Sequence, residues 1–196
     1  MQPRPSVIVF DVNETLSDLT PLAATGGKQA FSHLASGTLR AVLARARLTT
    51  SADDAVDHIL AGFAGLTVHP DVPNGVRILR QHGLRLVTLS NGSAGVADRL
   101  LAKAGIRGEF EQLLSVDNAD AWKPARAAYT HAASACSVGA GDMLLVAVHP
   151  WDIHGAHQAG LRTGWITRQQ TPYPGYFFGP DLQAPGLGML AKQIVR

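Results

Sequence analysis

The strongest constraint on folding is the segment Val7-Ile8-Val9-Phe10-Asp11, where four consecutive apolar residues stop on a carboxylate and give way to polar Asn13-Glu14-Thr15. An unbroken apolar run of this length suits a parallel strand covered on both faces, since the in-out alternation disappears when neither face meets water. Ligands of open α/β sheets bind beyond the carboxyl ends of such strands, which puts Asp11 where chemistry is done. Taken alone, the same residue would serve equally well to open a turn or cap a helix.

The rest of the chain breaks that tie. Beyond residue 70, apolar strand-like runs alternate with amphipathic helical ones. Asn74 to His82 reads as a helix stopped by Gly83, Leu84 to Leu89 as a strand, and Ser93 to Ala104 as a helix stopped by Gly105. Leu113 to Val116 is a shorter strand, followed by a helix from about Pro124 to Cys136 with proline at an early helical position. Met143 to Val148 is the next strand, Ile153 to Ala159 a helix stopped by Gly160, and Arg162 to Thr167 a last strand. Thr171 to Pro185 reads as loop before a terminal helix. The class predicted is α/β, with a doubly wound parallel sheet of Rossmann-like type as the core, built from residues 1–16 and 71–196.

Residues 17–70 break the alternation. They carry Ala/Leu helical patterning, such as Leu39, Val42, Leu43 and Ala46, without a convincing strand. A helical insertion directly after the first strand would emerge above the carboxyl edge of the sheet, cover Asp11 and exclude water, so this stretch is expected to form a small helical cap.

Composition narrows the function classes. The chain has 196 residues, 46% of them hydrophobic, enough for a full core. No segment approaches the roughly 20 apolar residues of a spanning helix, and the first residues do not follow a secretory signal pattern, so a soluble, cytoplasmic protein with no membrane association is expected. The formal charge of +2 is scattered rather than gathered into a stripe, which argues against nucleic acid. The single cysteine, Cys136, rules out an internal disulfide and reads as a small buried apolar group.

Three further strand ends carry polar groups able to meet Asp11. The second predicted strand ends in Ser90-Asn91-Gly92-Ser93, a natural anion cradle at a helix N-terminus, or simply a helix cap with Ser93 as the cap residue. The third is followed by Trp122-Lys123-Pro124 and, six residues after the lysine, Tyr129. An inward lysine there would hold neighbouring carboxylates ionised, although a lone lysine is by default a surface residue. The fourth ends in Val148-His149-Pro150-Trp151-Asp152, with Asp152 either functional or capping the next helix. His149, His154 and His157 raise the question of a metal, but their spacings match no metal-site pattern, and no metal is expected.

An Asp on strand one, Ser/Asn on strand two, Lys-Pro after strand three and Asp after strand four together resemble the haloacid dehalogenase superfamily. Ser90-Asn91-Gly92-Ser93, the Lys123 to Tyr129 spacing and Trp151-Asp152 resemble specifically its type II 2-haloacid dehalogenases. The resemblance implies hydrolytic dehalogenation of short 2-haloalkanoic acids through an aspartyl-ester intermediate, with no cofactor. Asp11 would be the nucleophile, Asp152 would orient or deprotonate the hydrolytic water, and Lys123 would balance the carboxylates. Thr15, Ser90 and Asn91 would hold the nucleophile and the substrate carboxylate, Tyr129 matches a family active-site tyrosine, and His149 would either take a hydrogen-bonding place beside the substrate or leave the second step slow. The implied partner is a small 2-haloacid or related acid, and a homodimer is compatible with this reading.

The alternative inside the superfamily is a magnesium-dependent phosphatase. Phosphatases carry a second Asp two residues after the nucleophile to protonate the leaving alkoxide, where this chain has Asn13, and a metal-binding Asp four residues before the position of Asp152, where it has Val148. Both differences favour carbon–halogen hydrolysis. A third reading is a non-catalytic or impaired member using Trp122, Trp151, Tyr173, Tyr176, Phe177 and Phe178 as an interaction surface. The chain also departs from the dehalogenase pattern. It has Ala147 and His149 where the family has Ser and Asn, and Asn13-Glu14 where the family has Tyr-Gly. The cap looks shortened, and no arginine lies between Asp11 and Arg40 to take the place of the family's halide-binding arginine.

Overall fold

The computed structural model describes residues 5–11, 31–46, 49–168 and 172–196. Six strands form one parallel sheet: β1 (Val7–Phe10), β2 (Arg85–Ser90), β3 (Gln112–Ser115), β4 (Met143–Ala147), β5 (Arg162–Ile166) and β6 (Leu182–Ala184), in the spatial order β3-β2-β1-β4-β5-β6. Every residue of β1 and β4 is buried, as an apolar run without alternation requires, whereas the edge strands β3 and β6 are only partly covered.

The described helices are α1 (Phe31–Leu43), α2 (Ala52–Gly65), α3 (Val72–Gln81), α4 (Ala94–Lys103), α5 (Arg126–Cys136), α6 (Pro150–Gln158) and α7 (Leu187–Ile194). Successive strand residues point to opposite sides, so the core divides into two layers. Val7, Val9, Val87, Leu89 and Leu145 meet Tyr129, Ala132, Ile153 and Ala156 of α5 and α6. Ile8, Phe10, Leu86, Leu144 and Val146 meet Val76, Leu79, Leu101, Leu187 and Leu190 of α3, α4 and α7. The expected stops at Gly83, Gly105 and Gly160 all adopt left-handed backbone, with φ of 78°, 66° and 91°, a region glycine enters without the Cβ penalty.

Three details differ from expectation. Leu182–Ala184, expected as loop, pairs with β5 as an edge strand too short to show periodicity. Pro124 lies outside α5, which begins at Arg126 with Ala125 as its N-cap residue. Conversely, α6 begins three residues earlier than read, because Pro150 occupies the first helical position, where its missing N–H costs nothing. Asp152 therefore sits inside the first turn of the helix instead of capping it.

Between β1 and α3 the described residues contain two helices and no strand. The exposed Arg40–Asp53 ion pair (2.8 Å) joins α1 to α2, Leu34 packs on the α5/α6 layer, and Lys103 Nζ donates to the Gly65 carbonyl at 2.9 Å. The expected domain boundary near residue 16 lies outside the described residues. Among the described residues no helix is long and apolar enough to cross a membrane.

Candidate functional site

From β1 the sheet runs through β2 to β3 on one side and through β4 to β6 on the other, so the chain changes direction between β1 and β4, the position where open α/β sheets leave a crevice. Asp11 follows β1 directly, and its N–H donates to the Val146 carbonyl at 3.0 Å, extending the β1/β4 ladder by one bond. Its side chain, 5% exposed, is therefore set by the sheet itself.

Lys123 is fully buried and reaches this carboxylate from the loop after β3. Its Nζ donates to Asp11 Oδ1 at 2.8 Å and to Asp152 Oδ2 at 2.7 Å. An ammonium removed from water is tolerated only when paired and hydrogen-bonded, and here it is shared between two carboxylates. The loop that carries it is braced by Asn91, whose Oδ1 accepts from the Lys123 N–H at 3.0 Å and whose Nδ2 donates to the Lys123 carbonyl at 3.1 Å.

Asp152 benefits from its place in the first turn of α6, where the helix dipole favours negative charge. Its Oδ1 accepts from the Tyr129 hydroxyl at 2.5 Å. Gly155, one turn on, lets Tyr129 and Pro124 approach: a Cβ there would lie 2.7 Å from Pro124 Cβ, from the Pro124 carbonyl oxygen and from Tyr129 Oη. His149 precedes the helix. Its Nδ1 lies 3.2 Å from Asp11 Oδ2, and its ring stacks on Trp151 with centroids 5.2 Å apart. The Trp151 ring in turn has Lys123 Nζ 6.0 Å from its centroid.

These contacts pull the two carboxylates in opposite directions. Burial pushes the Asp11 carboxyl up, but the Lys123 charge together with the hydrogen bonds from His149 and Lys123 outweighs it and holds Asp11 below the ordinary aspartate value. Burial also pushes Asp152 up. Lys123 opposes the shift, the nearby Asp11 charge adds to it, and Asp152 ends above its ordinary value. Burial would lower Lys123, but the two carboxylates raise it, so it stays charged. Burial and the negative charge of Asp152 lift Tyr129 well above its ordinary value, so it stays a donor. One carboxylate is thus a stabilised anion and the other a stronger base, as a nucleophile and a proton acceptor require.

The structure accordingly brings together Asp11, Lys123, Asp152, Tyr129 and His149, with Asn91 behind Lys123. Ser90 closes β2 fully buried, its Oγ accepting from the Gly92 N–H at 2.9 Å. Ser93 holds the N-cap position of α4, but its hydroxyl makes no capping bond. Thr15, with Asn13 and Glu14, lies outside the described residues. Arg40 spends its guanidinium on Asp53 and Ser36 at an exposed position. His154 and His157 stack under Phe178, with centroids 5.1 and 4.6 Å apart, and so stand apart from the His149 contact to Asp11. Of the aromatics considered for an interaction surface, Trp122 is a core residue, while Tyr176 and Phe178 are exposed.

Sequence reasoning missed the supports of the site. Trp165 Nε1 donates to the Val148 carbonyl at 2.8 Å, and the Tyr173 hydroxyl donates to the Phe178 carbonyl at 2.7 Å while resting against the Trp165 ring. Nothing local marks Trp165, whose partner Val148 lies 17 residues away, and the Tyr173 contact to Phe178, five residues on, falls in a stretch read as loop. The glycine in Ile153-His154-Gly155, in the middle of a predicted helix, was the one available signal of a close approach.

A family model for haloacid dehalogenase-like hydrolases matches residues 26–160. The chain is 38% identical to haloacetate dehalogenase H-2 of Moraxella sp. (strain B) over 67% of its length and 59% of that protein's. It is 35% identical to the (S)-2-haloacid dehalogenase of Pseudomonas sp. (strain YL) over 64% of its length and 54% of that protein's. The matches thus span a little over half of these relatives. An L-2-haloacid dehalogenase crystal structure superposes with a TM-score of 0.86 at 26% identity, over 99% of this chain and 100% of that one. The fold is also that of the L-2-haloacid dehalogenase from Xanthobacter autotrophicus solved with chloropropionic acid covalently bound (TM-score 0.79, 20% identity, 97% of this chain and 98% of that one).

Proposed function

Because the chain belongs to the haloacid dehalogenase-like hydrolase family, we propose that it hydrolyses the carbon–halogen bond of short 2-haloalkanoic acids through an ester formed on Asp11. The observation that carries this reading is the buried Asp11–Lys123–Asp152 arrangement, in which one ammonium keeps the nucleophile anionic while a second, more basic carboxylate stands on its other side.

In the first step an Asp11 oxygen attacks C2 from the side opposite the halogen, the C–O bond forms, and halide leaves with the bonding electron pair. No proton is needed. In the second step water attacks the Asp11 carbonyl carbon, Asp152 takes its proton, and the 2-hydroxy acid departs. Lys123 stays charged throughout and stabilises the oxyanion formed on Asp11. Tyr129 fixes Asp152, Asn91 fixes the lysine loop, and Thr15 with the Ser90-Asn91 turn receives the substrate carboxylate. Helices α1 and α2 act as the cap. Two features favour halide over phosphate: Asn13 offers no acid to a leaving alkoxide, and Val148 packs against the apolar α3/α7 layer in place of a second acidic ligand.

The test is halide release from racemic 2-chloro- and 2-bromopropionate with EDTA present, beside a magnesium-supplemented p-nitrophenyl phosphate assay. Metal-independent halide release that vanishes in Asp11→Asn is expected. Phosphate ester cleavage without halide release would overturn the proposal.

A further inference from the structure

We propose that His149 is the general acid of the second half-reaction, protonating the oxygen of the 2-hydroxy acid as it leaves Asp11. The inference rests on the ester mechanism above and assigns a proton donor which that mechanism leaves open.

The two oxygens of Asp11 are not equivalent. Oδ1 is held by Lys123, whose side chain is wholly buried and is wedged on its other side by Asp152. Oδ2 faces His149, the most exposed member of the cluster at 20%. A substrate arriving from outside meets Oδ2, which becomes the ester oxygen, while Oδ1 remains the carbonyl oxygen under the Lys123 ammonium. That ammonium then stands where negative charge develops when water adds.

His149 Nδ1 is 3.2 Å from Oδ2. Two lone pairs would repel at that distance, so Nδ1 carries hydrogen and donates. Its proton is therefore aimed at the atom that becomes the leaving oxygen. Stacking on Trp151 and the helix start set by Pro150 hold the ring in place, so no rearrangement is needed to use it.

The step balances. Water oxygen bonds to Asp11 Cγ and its proton passes to Asp152. The tetrahedral intermediate collapses, Cγ–Oδ2 breaks, and the departing alkoxide takes the Nδ1 proton of His149. Asp11, regenerated as a carboxylic acid, returns a proton to His149 and restores the starting hydrogen bond from Nδ1 to the carboxylate. The proton on Asp152 goes to solvent and accounts for the one acid equivalent released with each halide. An asparagine amide in the same place cannot supply this proton.

Halide needs no proton to leave but an alkoxide does, so loss of His149 should divide the two steps. In rapid-quench experiments with 2-bromopropionate, His149→Gln and His149→Asn should still give a burst of halide. Hydroxy acid formation should fall roughly a hundredfold, and a mass adduct should accumulate on the Asp11 peptide. A merely structural role would not produce a leaving-group dependence. With 2-chloro-3,3,3-trifluoropropionate, whose product alkoxide is a better leaving group, the deficit of both variants should shrink. Equal slowing of both steps, turnover of His149→Asn at or above wild type, or a deficit indifferent to the leaving group overturns the proposal while leaving the ester mechanism standing. Wild-type protein that yields neither halide nor adduct overturns both.

Discussion

Replacing Lys123 with methionine keeps the apolar stem of the side chain and removes the one charge that the two carboxylates share. Lys123 and Asp152 side chains are 0% exposed and Asp11 is 5% exposed, so no water replaces the ammonium. Breaking a buried ion pair by deleting one partner costs about 3 to 5 kcal/mol. With a urea m-value of about 2 kcal/mol/M, the unfolding midpoint should fall by roughly 2 M. The sign of the pH dependence follows from the same groups. Burial is the largest influence on both carboxyls and the Lys123 charge the largest one opposing it, so removing that charge moves both upward in the folded variant. A carboxyl raised on folding destabilises above its folded pKa and is relieved as pH falls through it. In the wild type Asp11 is lowered instead, and the stability this provides is present above its unfolded value and lost on acidification. The gap between the two proteins should therefore be widest where both carboxyls are ionised and narrow on acidification, as the carboxyls of the variant take up protons. Urea titrations of both proteins at several pH values measure it. A midpoint shift that is small or independent of pH would refute the claim that Lys123 is held by buried, ionised partners.

Gly155→Ala should cost about 1 to 3 kcal/mol, because its Cβ meets backbone and a buried ring at 2.7 Å, and product formation should slow more than halide release as Tyr129 is pushed off Asp152. Unchanged stability in thermal unfolding would show that the helix moves freely. Since Asp11 is lowered and Asp152 raised, acidification should stall ester hydrolysis before it stalls ester formation, so the Asp11 adduct should build up in acid-side quenches, and parallel loss of both steps would contradict the opposite shifts. Among the described residues Thr88 Oγ1 is buried without a hydrogen-bond partner, so Thr88→Val should raise stability by about 1 kcal/mol in urea unfolding, and a loss would indicate that the hydroxyl is satisfied.

The sheet was legible because its signals are local. Burial on both faces shows as apolar runs at Val7–Phe10 and Met143–Ala147, and left-handed helix stops show as Gly83, Gly105 and Gly160. Strand β6 was not legible, since three residues at a sheet edge carry too little burial to pattern. The candidate site was legible as a set of strand ends, because a parallel sheet gathers its carboxyl termini on one edge whatever the loops do. Asn91 shows the limit. Its place beside Ser90 suggested a substrate contact, and no local signal showed that both ends of its amide brace the backbone of Lys123.

What the sequence determined, then, is which residues stand at the edge: Asp11, Ser90, Asn91, Lys123 and Asp152 each follow an apolar run or its loop, and hydrophobic burial alone delivers them there. Tertiary structure decided what they do to one another. Lys123 meets Asp11 across 112 residues and Asp152 across 29, and the 2.8 and 2.7 Å contacts set which carboxylate is lowered and which is raised. His149 acquires its partner across 138 residues. Electrostatic and hydrogen-bond energies depend on distance and burial in three dimensions, so the division of labour between two identical carboxyl side chains exists only once the chain has folded.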